Sequence, residues 1–181
     1  MFYFSIVYSI ISYGIIYWGV SSHSKIIFKI QKRIIRIITN PANKDSCWDL
    51  FKKLNILPLQ LQYIFSLLMF VVKNNDLFKT NSDVHNFNTR SHYDLHIPAV
   101  NFAVFQNGVW YSGIKIYNYL PPTIKKLSYD ISKFIAALKR LLYTNSFYTL
   151  EEYYSWKQRF CFLTITSWQY NTPLLCCWSI V

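Results

Sequence analysis

Carboxylates are the first shortage in this chain. Asp and Glu number 8 against 19 Lys and Arg, a net charge of +11, so the natural partner is polyanionic: a nucleic-acid backbone or an anionic membrane surface. The acids are also scattered, at Asp45, Asp49, Asp76, Asp83, Asp94, Asp130, Glu151 and Glu152. Polymerases and nucleases hold divalent metals with clustered carboxylates, usually from adjacent strands. Only Glu151 and Glu152 adjoin, at an expected helix end where capping or solvation is their ordinary role. No catalytic residue, metal site or cofactor is therefore expected. Glycine is scarce too, with 4 in 181 residues, and neither a phosphate-cradling glycine loop nor a nucleophile elbow can be found. The 4 cysteines, Cys47, Cys161, Cys176 and Cys177, are too few and too unevenly spaced for a disulfide scaffold. That points to a reducing compartment, the nucleus or cytoplasm. No cationic stretch precedes the first apolar run and no small-residue cleavage pattern follows it, so a cleaved secretory signal is not expected.

What is abundant is apolar surface. The chain is 52% hydrophobic and 19% aromatic, enough to offset chain entropy and argue against disorder. Its length suits one domain with a real core. From Phe2 to Ser22 there is no formal charge, and about 20 apolar residues is the length that spans a bilayer. Ser5, Ser9, Ser12 and Tyr13 dilute that run, and its many aromatics also suit a helix laid on a core or an interface.

The next helix is expected from a Ser22 or Ser24 cap to about Ile38, broken by Asn40-Pro41. Ile26, Ile30, Ile34, Ile37 and Ile38 recur at helical spacing as one apolar stripe, expected to pack on a core. Lys25, Lys29, Lys32, Arg33 and Arg36 form a second stripe that no acid interrupts. Cations at this pitch repel one another unless something anionic lies along them. These five are the candidate nucleic-acid contacts; the plainer alternative is a solvated face on an ordinary amphipathic helix.

Ser46 and Asp49 make a weak capping box before a short helix through Phe51 and Leu54. After Pro58, Leu59 to Val72 is apolar on almost every side and should be the central helix of a bundle. Residues 74–107 lose periodicity and read as a long middle loop, with one or two short strands near Leu95 to Ile97 and Phe102 to Phe105. Helical turns resume near Val109 and end at Pro121-Pro122. A last amphipathic helix runs from Ser132 to Thr144, with Phe134, Ala137, Leu138, Leu141 and Leu142 inward. The expected fold is mostly α: an irregular bundle of five or six helices with a long middle loop and at most one short hairpin. His92 and His96 would have zinc-ligand spacing on a helical turn, but Pro98 and the missing further ligands favour surface histidines. Palmitoylation of Cys176-Cys177 beside an apolar segment is the weakest of these candidates.

Read together, several stretches resemble the region that follows the catalytic palm in jockey-like non-LTR retrotransposon reverse transcriptases. They are Ser12 to Gly19 (SYGIIYWG), Ile27 to Asn40 (IFKIQKRIIRIITN), Asp45 to Gln60 (DSCWDLFKKLNILPLQ), Tyr63 to Asn74 (YIFSLLMFVVKN), Asn88 to Pro98 (NTRSHYDLHIP), Ser112 to Leu127 (SGIKIYNYLPPTIKKL) and Phe147 to Tyr154 (FYTLEEYY). Their order and spacing carry more weight than any one of them. The resemblance implies that the first two helices are a thumb gripping a primer-template duplex and the rest a helical extension behind it. The family's palm, with its catalytic aspartates, and its endonuclease have no counterpart in this sequence. The likeness assigns residues 1–154 to this region and leaves 155–181 as a tail outside the family pattern, read as translation past the element's ordinary end.

Two functions follow from these readings. In the first, the chain is a truncated, non-catalytic piece of an RNA-directed DNA polymerase that binds RNA–DNA or DNA duplex backbone through Lys25, Lys29, Lys32, Arg33 and Arg36. In the second, it is a small membrane protein anchored through residues 2–20, with the same cations on an anionic cytoplasmic face. Oligomeric state is left open by both.

Overall fold

A computed structural model of the chain describes residues 3–40, 46–85, 91, 94–145 and 147–156. The chain divides into two units, Met1–Tyr148 and Thr149–Val181. The first is a mostly α, irregular bundle of helices, and among the described residues its extended pairing is a single antiparallel bridge, Thr80 with Leu95.

The apolar N-terminal stretch does not form one continuous helix. A π-helical segment, Tyr3–Tyr8, leads into α1 (Ser9–Ser12). The backbone then opens at Tyr13 and turns left-handed at Gly14, φ 60°, before α2 (Ile15–Trp18). Glycine suits that turn because it lacks the Cβ that makes positive φ costly. Just beyond, Gly19 lies against the Tyr63 ring so closely that an added Cβ would run into it. No helix among the described residues is long and apolar enough to cross a membrane.

Helix α3 (Ser24–Thr39) ends at Asn40, which takes the left-handed conformation at φ 40° and donates its N–H to the Arg36 carbonyl. Its start departs from the expected serine cap: His23 occupies the cap position with no side-chain hydrogen bond, and Ser24 is itself buried in the first turn. The core-facing side also departs from expectation. Ile35, Gln31 and Ser24 are buried, with Ile27, Phe28 and Ile34 half-buried beside them, whereas Ile26, Ile30, Ile37 and Ile38 are exposed. Gln31 explains the choice. Its amide nitrogen donates to the Tyr3 hydroxyl (2.7 Å) and the Leu57 carbonyl (3.1 Å), and its oxygen accepts the Leu59 N–H at 2.9 Å. One side chain thus joins the N-terminal segment, α3 and the start of α5 (Leu59–Lys73), and satisfies a helix-end N–H that would otherwise be buried unpaired.

Between α3 and α5, α4 (Cys47–Lys53) opens on Ser46, whose hydroxyl accepts from Trp48 N–H at 3.4 Å. Leu50, Phe51 and Ile56 complete a small core with Tyr3 and Ile35. Helix α5 is the centre of the unit, packing against α1, α2, α3, α8 (Val109–Asn118) and α10 (Ile131–Asn145). Leu59, Leu61, Tyr63, Ile64, Leu67, Leu68, Val71 and Val72 are all buried on it. Gly113 of α8 lets that helix approach Val71. The one flaw is Gln62, buried with neither amide atom hydrogen-bonded.

The expected middle loop holds more local order than its composition suggests. After a 3-10 turn at Asn75–Leu77 comes α6 (Asn81–Val84), opened by a capping box in which Thr80 and Asp83 satisfy each other's backbone. Phe102 to Phe105 forms no strand: α7 (Ala103–Gln106) occupies that place, held by Gln106 donating to the Val100 carbonyl. Leu95 makes the bridge, and Asn118 pins it with two bonds, accepting from Leu95 N–H at 2.9 Å and donating to its carbonyl at 2.8 Å. The asparagine of the Asn118-to-Pro122 turn thereby imitates a neighbouring strand. Helix α9 (Pro122–Lys125) follows, and Lys125 pairs with Asp94 at 2.6 Å, tying the same loop down. On α10, Phe134, Leu138 and Leu142 are buried and Lys133, Lys139 and Arg140 exposed, as the spacing predicts.

In the second unit the described residues are 149–156. Thr149 accepts the Glu152 N–H at 3.2 Å as the chain enters a helical stretch at 150–156, leaving Glu151 and Glu152 exposed. The tail after Trp156, with Cys161, Cys176 and Cys177, lies outside the described residues.

Candidate nucleic-acid interface

Helix geometry gathers the five candidate cations. At about 100° per residue, Lys32, Lys25, Arg36, Lys29 and Arg33 fall in that angular order over roughly a quarter to a third of the circumference of α3, the side next to the buried face. Lys25, Lys29, Arg33 and Arg36 are exposed and Lys32 is half-buried. Lys32 leans back on the protein, its Nζ 4.7 Å from the centre of the Phe28 ring. None of the five has a carboxylate partner among the described residues, where the ion pairs are Lys125 with Asp94 and Lys133 with Asp130. The first 44 residues contain no Asp or Glu at all.

This arrangement is electrostatically unfavourable by itself. Lys25–Lys29, Lys29–Arg33 and Lys32–Arg36 are four residues apart and Lys29–Lys32 and Arg33–Arg36 three, spacings at which like charges cost roughly 0.2–0.5 kcal/mol per pair. Lys25 also stands in the first turn, where the helix end is already positive, whereas Arg36 complements the negative C-terminal end. The face is therefore a row of hydrogen-bond donors with an unmatched positive potential, suited chemically to a chain of phosphates.

An aromatic group borders the row on the side of α4, and sequence reasoning missed it. Phe28 packs on Phe51 at 6.3 Å and on Tyr148 at 5.7 Å, and Tyr148 on Trp48 at 3.8 Å between ring centres. The available signal was Phe28 one turn before Lys32. Trp48 and Tyr148 are half-buried, so the group braces the row from behind and fixes the inner edge of the face.

His85 and His96 come together across the Thr80–Leu95 bridge, with ring centres 5.5 Å apart. The pair with zinc-ligand spacing in the sequence, read there as surface histidines, was His92 with His96, and His92 lies outside the described residues. Among the described residues no group of three His, Cys, Asp or Glu side chains is placed to hold a metal. Burial pushes the Tyr63 hydroxyl up to about 12, moderated by a hydrogen bond with Ser112, and raises Tyr3 and Tyr117 for the same reason. These tyrosines are core residues that stay neutral. Comparison with known proteins gives no family model, curated protein or solved structure that matches the chain.

Proposed function

We infer that the chain binds nucleic-acid backbone through Lys25, Lys29, Lys32, Arg33 and Arg36, as a non-catalytic region akin to the thumb and post-palm part of a jockey-like non-LTR retrotransposon reverse transcriptase. One observation carries the binding half: five cations share one arc of α3 with no carboxylate partner among the described residues and none in the preceding sequence. The family half rests on the sequence stretches quoted above. The ligand is duplex, RNA–DNA or DNA, recognised by phosphate and not by base, because long flexible cations without a grooved set of hydrogen-bonding side chains position a backbone but do not read its sequence.

The test is binding of the full chain to labelled RNA–DNA duplex over a salt series, beside a variant with glutamine at the five positions. Each neutralised phosphate contributes roughly −0.9 to the slope of log affinity against log salt, so the parent slope should be steep and the variant's shallow. A preference for one base sequence, or affinity indifferent to salt, would sink the reading.

A further inference from the structure

The cations of α3 have a use in that reading, but the isoleucines beside them do not. Ile26, Ile30 and Ile37 are 56%, 52% and 71% exposed, and the helical angle places them next to Arg33 and Lys29 on the outward side. A phosphate chain gains nothing from three isoleucines, and soluble surfaces seldom carry apolar groups side by side without a partner. The N-terminal segment does the same thing: Ile6, Ile10, Tyr13 and Tyr17 are exposed. From Tyr3 to Asn40 no carboxylate interrupts either surface.

Charge decides among possible occupants. A second copy docked on the isoleucines would bring two rows of five cations together, a repulsion the apolar contact must overcome. An acidic helix would match α3 but would leave the exposed tyrosines of the N-terminal segment unused. An anionic bilayer suits each group by depth: isoleucines at the acyl boundary, tyrosines at the headgroups, and Lys and Arg at the lipid phosphates. We propose that α3 and the N-terminal segment form a peripheral membrane surface that lies on anionic lipid without crossing it. It is a second binding activity of the chain, separable from duplex binding because only lipid needs the isoleucines.

The experiment uses the full chain and its Ile26→Ser, Ile30→Ser, Ile37→Ser triple variant, with co-sedimentation on phosphatidylserine-containing and pure phosphatidylcholine vesicles and a parallel duplex-binding assay. The parent should bind the anionic vesicles and bind the neutral ones weakly. The triple variant should lose at least about tenfold in vesicle affinity, from three partly buried isoleucines, while its duplex affinity stays within about twofold of the parent. Absence of parental binding to anionic vesicles overturns the proposal, as does a triple variant that binds them undiminished. A parent that dimerises through these isoleucines and ignores vesicles also overturns it. If the triple variant fails to fold, Ile37→Ser alone is the readout: a partial loss on vesicles with unchanged melting supports the proposal, and no loss overturns it. Loss of duplex binding by the five-glutamine variant, or its persistence, reports on the nucleic-acid reading separately.

Discussion

Helices α3 and α5 are nearly equal in length, 16 and 15 residues, yet they relate sequence to burial in opposite ways. On α5 almost every side is apolar and almost every side is buried, so its place at the centre follows from composition alone. On α3 apolar residues occupy more than half the circumference, and only part of that arc can face the core. The stripe with the cleanest isoleucine spacing lost. The arc that won carries a glutamine and a serine, because Gln31 meets three backbone and side-chain groups that apolar residues would have left unpaired. Apolar periodicity locates a helix; polar satisfaction can decide which way it turns.

The sharpest test of that contrast compares two isoleucines on α3, two residues apart. Ile35 is fully buried and Ile37 mostly exposed, so Ile35→Ala should cost about 2–4 kcal/mol and Ile37→Ala within about 0.5 kcal/mol, measured by urea unfolding of the full chain. Reversed costs, with Ile37→Ala the more damaging, would mean the helix is turned as the isoleucine stripe predicts. Next in size is Gln31→Leu. It strands the Leu59 N–H and the Leu57 carbonyl, and should cost about 2–3 kcal/mol, the low end of roughly 1–3 kcal/mol for each of the two groups because the leucine adds apolar burial that offsets part of the loss; a variant as stable as the parent would remove Gln31 as the reason for the orientation.

Burial holds the Tyr63 pKa at about 12 against an ordinary value of 10.0, so the folded state keeps a proton that the unfolded chain releases. Its contribution is whole below pH 10 and fades as pH rises from 10 toward 12. Melting temperature should fall across that window, and less steeply in Tyr63→Phe; a parent profile flat to pH 12 would contradict the burial. The smallest effect is expected at the flaw in α5. Gln62→Leu removes two unpartnered amide atoms and should raise stability by about 1 kcal/mol; destabilisation instead would show that the amide has a partner.

Several elements were legible in the sequence. The spacing of Phe134, Leu138 and Leu142 located the buried side of α10, and Asn40-Pro41 located the end of α3. The five cations were also visible as one row, since helical pitch alone brings positions 25, 29, 32, 33 and 36 to one side. Other features had local signals that were passed over. Thr80 and Asp83 stand three apart, the spacing of a capping box, inside a stretch whose composition reads as loop. Still others had no local signal. Nothing near Asn118 reveals that its side chain will pair with Leu95, 23 residues away, or that Lys125 will close on Asp94.

By itself the sequence determined the helical class, the central position of α5, the basic charge and its concentration on α3, because pitch, composition and net charge are properties of consecutive residues. Tertiary structure alone decided which arc of α3 is hidden, that Gly19 lies against the Tyr63 ring, and that isoleucines stand outward beside the cations. Those outcomes depend on where distant groups find hydrogen-bond partners and how closely backbones approach, as Gln31 at Leu59 and Gly19 at Tyr63 illustrate, and no window of neighbouring residues contains that information.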